Sequence, residues 1–442
     1  MAPPAVAHAD AHPPAARRAV VSWIIYDLAN VIFSMGVVSF TFPLWIRDQV
    51  GPDRTDAVVG RFTAISMGII FVISPLLGAM SDRARKRMPF LVTSTVLCIA
   101  FTLLLGRVGF VGTILAFIVA NAAYQASLQF YDALLVEVTT ESNRGRINGI
   151  GVGVGYVGSY IAVGYAQAFH ANKPLVFTLV AVSFLAFALP CFMFVTERGN
   201  PTPGRVFAWS AVVDSTRRTI DAFRQGERFP GLIRFLIGRM FYTDAINTVI
   251  AMMTVYVTNV AVSHHLTGEA GEQMGRFVLL GAITFAIPGG ILWGRVVDRI
   301  GPKRTLNIVL ALWLATFALA SATGLFGLPL VCLWVVAAMA GVAIGGTWSS
   351  DRPLMLRLTP PDRVGEFYGL YGMVGRFAAV TGPAAWSIIV PYMITHYQFE
   401  AARAEGVGVI ALLLMVALSY WILRRVDDTP RDWNALAARP GR

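Results

Sequence analysis

The chain is 442 residues long, 56% hydrophobic and only 14% charged, with a mean hydropathy of +0.63. That surplus of apolar residues over what a soluble domain buries excludes a soluble class and marks a polytopic membrane protein. The formal net charge of +11 comes without a basic segment patterned for RNA or DNA, so the excess is assigned to membrane topology and not to a nucleic-acid partner.

Residues 1–18, rich in Ala, Pro and His, are expected to form a disordered cytoplasmic tail. About 20 apolar residues cross a bilayer as a helix, and such runs follow at 19–46, 57–80, 89–106, 109–137, 147–168 and 173–195. The first is too long for a signal-peptide core and contains Asp27, so it is expected to stay as a span. The polar, basic stretch 197–230, with Pro201, Pro203 and Gly204, reads as a cytoplasmic linker with a surface helix. Six more spans are expected at 231–260, 272–295, 304–325, 327–355, 365–395 and 406–424, followed by a cytoplasmic tail over 426–442. The predicted fold class is all-α integral membrane: twelve transmembrane helices in two pseudo-symmetric six-helix lobes, 19–196 and 231–425.

Lys and Arg accumulate in cytoplasmic loops. Here Arg83, Arg85, Lys86, Arg87, Arg144, Arg146, Arg299, Lys303 and Arg304 share one side with both tails, so both termini are expected to be cytoplasmic. Cys98, Cys191 and Cys332 fall inside apolar spans and read as small core residues, not as a disulfide framework. The histidines lie in the tail or near span ends, which leaves proton coupling to carboxylates. His264 and His265 lack a third ligand, and no metal or cofactor is expected.

The two halves repeat. Asp27 and Asn30 in the first span return at the matching place of the second half as Asp244 and Asn247. A carboxylate at the centre of a membrane helix costs about 3 kcal/mol on insertion scales, so duplicated ones point to a transport path. Gly78, Asp82 and Arg83 return as Gly294, Asp298 and Arg299, and Asp132, Thr140 and Arg144 as Asp351, Thr359 and Arg363. Agreement at separate places is the signature of an internal duplication.

Positions three, four, seven and eleven apart share a helix face. Asp27, Asn30 and Ser34 therefore form one polar stripe, and Asn121, Gln125, Gln129 and Asp132 another with Tyr124 beside it. Lipid cannot satisfy such rows, so both are expected to face the bundle interior. Arg239 and Arg376 each need a carboxylate partner or an anionic ligand. Arg376 shares a face with Tyr368, with Tyr371 adjacent, so it is either a substrate-carboxylate site flanked by aromatic rings or a salt bridge to an intramembrane Asp. Asp351, next to Arg352, reads as a structural pair or gate, and Glu137 as part of a lobe-to-lobe charge network. Gly149, Gly151, Gly153, Gly155 and Gly158 contain a G-x-G-x-x-G match inside an apolar helix, which is no dinucleotide site; they supply close helix contact.

The segments Gly78, Asp82, Arg83, Arg85, Lys86, Arg87 and Gly294, Asp298, Arg299, Gly301, Lys303, Arg304 resemble the G-x-L-A-D-R-x-G-R-K signature of the major facilitator superfamily. Gly is expected to let the helix end turn tightly, and Asp to cap a helix or pair with a basic residue across the lobe interface. In the family this signature latches the outward-open state. Trp23, Tyr26, Asp27, Ala29 and Asn30 resemble the W-x-x-Y-D-x-A-N opening of the branch containing the autophagy-related vacuolar amino-acid effluxer. The sequence departs from that branch in Asp132, where Asn is usual, and in Thr347, Trp348 and Asp351.

The resemblance implies a central cavity lined by the first, fourth, seventh and tenth helices, with Asp27, Asp132, Asp244 and Asp351 on them. It implies a secondary transporter for a small-molecule substrate, an amino acid or similar zwitterion, with proton exchange as an option. Trp348 joins the candidate path on this basis, and Glu137, Arg144 and Arg363 join the signature residues as a conformational gate. Efflux of amphipathic drugs or lipid-like molecules, or a non-transporting membrane sensor of the same fold, are the alternatives. An enzyme is not expected, since no nucleophile, base or metal set lies within the spans. The chain is expected to act as a monomer in the lipid bilayer of a bacterial plasma membrane.

Overall fold

In the computed structural model, which describes residues 15–84, 86–198, 231–377 and 381–429, every regular element is a helix among the described residues. Twelve spans run as α1 (Arg17–Val50), α2 (Pro52–Arg83), α3 (Met88–Leu104), α4 (Gly109–Val138), α5 (Arg144–Ala168) and α6 (Lys173–Phe194), then α7 (Leu232–Ser263), α8 (Gly268–Ile300), α9 (Pro302–Phe326), α10 (Val331–Leu358), α11 in two described pieces (Val364–Phe377 and Thr381–Tyr397) and α12 (Ala401–Leu423). Residues 1–14 of the expected tail over 1–18, 199–230 of the expected linker and 430–442 of the expected C-terminal tail lie outside the described residues, and the first helix begins at Arg17, two residues inside the expected N-terminal tail.

Most helices exceed the predicted spans by a few residues, and side-chain caps mark two of the helix starts. Asn172 accepts the Leu175 N–H at the start of α6, and Thr267 accepts the Ala270 N–H at the start of α8. Gly301, at φ +88°, turns the chain from α8 into α9, whose first residue is Pro302. Within α1 the turns Ser34–Thr41 are wound as π-helix, a local departure that recurs at functional sites.

α1 packs on α5 and α6, α3 on α4 and α6, and α2 on α4; in the second half α8 packs on α10, α9 on α10 and α12, and α7 on α8 and α12. Two groups meet along α2 against α11 and α5 against α8 and α10. The first group is filled by stacked rings, with Trp23 4.7 Å and Tyr26 4.9 Å from Tyr131, and Phe42 3.7 Å from Phe117. Apolar side chains such as Val72, Val111, Met193 and Ile388 cover the outside, as an integral membrane protein requires.

Candidate functional site

The polar stripes meet between the two groups. Arg352 of α10 reaches Asp132 of α4 through Nε at 2.9 Å and Asp27 of α1 through a terminal nitrogen at 3.5 Å. It is also 3.4 Å from Asn148 Oδ1 on α5, whose Nδ2 donates to the carbonyls of Trp348 and Ser349. One arginine of the second half thus serves two carboxylates of the first.

Asp351, fully buried, points elsewhere. Its oxygens accept Arg239 Nε at 3.1 Å, the Tyr242 hydroxyl at 2.5 Å and the Tyr371 hydroxyl at 2.7 Å. The Arg239 guanidinium lies 3.5 Å over the Tyr371 ring and donates to the Tyr371 carbonyl. The sequence neighbours Asp351 and Arg352 therefore join separate clusters, which corrects the expected pairing between them. Successive helix residues point about 100° apart, so adjacency in sequence argues against contact.

Arg376 of α11 has no carboxylate within ion-pair distance among the described residues. It donates to Ser74 Oγ of α2 at 2.8 Å and to the Gln125 carbonyl of α4 at 2.9 Å, while its Nε is buried without an acceptor. The aromatic flank expected for it is corrected: the Tyr371 ring serves Arg239, and the Tyr368 hydroxyl donates to the Arg352 carbonyl. Ser74 in turn donates to Gln129 Oε1 and to the Gly369 carbonyl.

The remaining stripe residues divide. Asn121 donates to Ser66, and the Tyr124 ring packs on Phe33 at 4.6 Å. Asn30 is buried with both amide atoms unpartnered, and Asn247 is half-buried with no polar contact to other described residues. Asp244 accepts the Gly382 N–H at 2.7 Å and the Thr381 hydroxyl, so it caps the second piece of α11.

The signature loops lock the two groups at the end that bears the Arg-rich loops. Asp82 accepts the N–H groups of Gly365 and Glu366, the first turn of α11, both at 2.7 Å. Asp298 accepts those of Gly145 and Arg146, the first turn of α5, at 2.7 and 3.0 Å. Each carboxylate thus caps a helix of the opposite group, where unpaired N–H groups and the helix dipole favour a negative charge. Asp82 also holds Arg87 of its own half at 2.9 Å. Arg83 and Arg299 form no ion pair among the described residues, and Arg363, in the turn just before α11, pairs with Glu366 of α11, while Arg144 donates to Thr139.

Two further expectations change. Gly78 and Gly294 sit inside helices, not at turns: a Cβ on Gly78 would lie 2.2 Å from the Gly365 carbonyl, and one on Gly294 2.6 Å from the Gly145 carbonyl. Their role is backbone-to-backbone approach across the interface. Glu137 pairs at 3.6 Å with Arg198 of the same half and, among the described residues, not across the lobes. Among the α5 glycines, Gly149 and Gly153 abut α8, while Gly151, Gly155 and Gly158 abut α1.

Asn148, Ser74 and the Glu141–Arg357 bridge at 3.3 Å, which also joins the two halves, went unpredicted. Asn148 alone left a signal, a polar side chain opening a glycine-rich helix. Glu197, beyond the end of α6, accepts the N–H groups of Arg87 and Met88 at the start of α3. Burial raises its carboxyl above the usual range against those hydrogen bonds.

Comparison with known proteins fits this arrangement. Residues 49–427 match the family model described as vacuole effluxer Atg22 like. The chain is 26% identical over 435 residues to the uncharacterised MFS-type transporter YxiO of Bacillus subtilis, covering 93% of this chain and 95% of that one. It is 25% identical over 271 residues to autophagy-related protein 22 of Gibberella zeae, covering 55% of this chain and 40% of that protein. Among solved structures it is similar to the human organic anion transporter MFSD10, at TM-score 0.68 and 15% identity over 93% of this chain and all of that one. A bacterial homologue of the iron transporter ferroportin in an outward-facing state superposes at TM-score 0.69 and 14% identity over 95% and 98% of the two chains. With the family model spanning most of the chain and the twelve-helix fold in agreement, the protein belongs to the Atg22-like branch of the major facilitator superfamily of transporters.

Proposed function

We propose that this transporter moves amino acids or similar small zwitterions by alternating access, in the export direction and in exchange for protons. The observation that carries the reading is Arg376, a buried cation held, among the described residues, by only a hydroxyl and a carbonyl. Such a group gains most from a carboxylate, since charge-assisted hydrogen bonds are the strong ones. On the other side of the interface Asp27 and Asp132 share Arg352 as their one ion-pair partner among the described residues. Carboxylate charge is thus in excess on α1 and α4 and cationic charge on α11, a polarity matched by a ligand with both an ammonium and a carboxylate.

Asp27 and Asp132 also suit proton exchange, because a proton on either leaves the other to pair with Arg352. The lobes are joined at the Arg-rich end by Asp82, Asp298 and their glycines, which supports a cytoplasm-closed state of a plasma-membrane protein with cytoplasmic termini.

The test is binding and counterflow of a labelled amino-acid panel with protein reconstituted in proteoliposomes. Arg376→Gln is expected to weaken binding of the recognised amino acid about 10- to 100-fold, the equivalent of about 1.5–3 kcal/mol for a hydrogen bond to a charged group. Unchanged affinity in Arg376→Gln refutes the anchor. Absence of flux for every amino acid in wild type transfers the reading to lipophilic efflux.

A further inference from the structure

Glu405 lies outside the charged network described above. It stands near the start of α12, at the end of the bundle opposite the Arg-rich loops, and is 4% exposed. Asn259 of α7 donates Nδ2 to its Oε1 at 2.9 Å, and Oε2 is buried with no hydrogen-bond partner. No Lys, Arg or His comes within ion-pair distance of it among the described residues. The glutamate therefore has one neutral donor and no compensating charge.

The helices packed on α12 are α7, α9 and the second piece of α11. On α7 the titratable neighbours are Tyr256, whose hydroxyl is committed to the Ala320 carbonyl, and His264, whose Nδ1 faces the Val260 carbonyl. On α9 the only ionic residues are Lys303 and Arg304, at the opposite end of the helix. The second piece of α11 presents Trp386 and Val390 to Gly408, with Tyr392, His396 and Tyr397 clustered on an exposed face. On α12 itself Arg403 is exposed.

Burying a carboxylate anion without a partner is far more costly than burying a neutral acid with one unmet hydroxyl. Taking a proton is thus the route by which this side chain is accommodated. We propose that Glu405 is a proton-binding site of the second lobe, occupied in this conformation, with Oε1 as the carbonyl oxygen held by Asn259 and the proton on Oε2. The geometry also says when the site would empty: separation of α12 from α7 breaks the Asn259 contact and admits water. A proton taken up and released at the α7–α12 contact is a coupling element distinct from Asp27 and Asp132, and it requires no assumption about which solute is carried.

Infrared spectroscopy of the full-length protein in lipid nanodiscs at neutral pH tests the site directly. Wild type is expected to show a protonated-carboxyl C=O stretch that shifts in deuterated buffer and is absent from Glu405→Gln, an isosteric variant that still accepts from Asn259. Asn259→Ala is expected to retain that band at a higher frequency, because the carbonyl loses its hydrogen bond. Identical carboxyl bands in wild type and Glu405→Gln overturn the proposal, as does a band in Asn259→Ala at the wild-type frequency. Because neither readout involves transport, the result is independent of whether Arg376 anchors an amino acid.

Discussion

Replacing Asp351 by Asn is expected to destabilise the protein by about 3–5 kcal/mol, the range for removing one partner of a buried ion pair. Asp351 is fully buried and is the only carboxylate that Arg239 contacts among the described residues; the Arg239 side chain itself is only 5% exposed. An amide in its place keeps the shape but leaves the guanidinium charge with the Tyr371 ring and carbonyl alone. The loss is greater than for a surface pair because water cannot take over. Tyr242 and Tyr371 also change acceptor, from a carboxylate to an amide. Chemical unfolding in detergent micelles measures the effect. The double variant Asp351→Asn with Arg239→Gln is expected to recover most of the loss, since it removes the stranded charge and not merely its partner. A single variant as stable as wild type shows that Arg239 has another counter-charge.

The asymmetry between what the sequence told and what it withheld has a physical cause. An Asp or Arg inside an apolar run is conspicuous, because lipid penalises it wherever it points; Asp27, Asp132, Asp244, Arg239 and Arg376 were all legible for that reason. Partner choice depends on the crossing of helices far apart in sequence, and there the reading failed. Asp351 pairs with Arg239 and not with Arg352, and Arg376 finds Ser74, an inconspicuous hydroxyl next to Pro75. Repeated Gly78 and Gly294 announced that something needed them, but a turn and a close approach both call for glycine. Only the positions of the opposite helices distinguish the two.

The second large effect concerns those glycines. Gly78→Val is expected to shift the transporter away from the state described above. A Cβ at Gly78 would lie 2.2 Å from the Gly365 carbonyl and 2.8 Å from its carbonyl carbon, separations that only movement of α2 from α11 relieves. Gly365 is drawn toward α2 by the bond from its N–H to Asp82, one turn beyond Gly78 on the same helix, so the clash and the cap oppose each other directly. Overpacking costs about 1–3 kcal/mol, which is about 5- to 150-fold in an equilibrium between two conformations. Under the alternating access proposed above, the strain falls only on the arrangement in which the Arg-rich end is closed, so the variant is expected to favour the arrangement open at that end. Spin labels at Lys86→Cys and Arg304→Cys, both exposed and on opposite halves at that end, report the separation. With the native Cys98, Cys191 and Cys332 replaced, wild type is expected to give a short distance and Gly78→Val a longer one, with Gly78→Ala between them. Equal distances in the three proteins show that α2 and α11 do not part in the cycle, and with that the rocking of the two lobes about this contact is excluded.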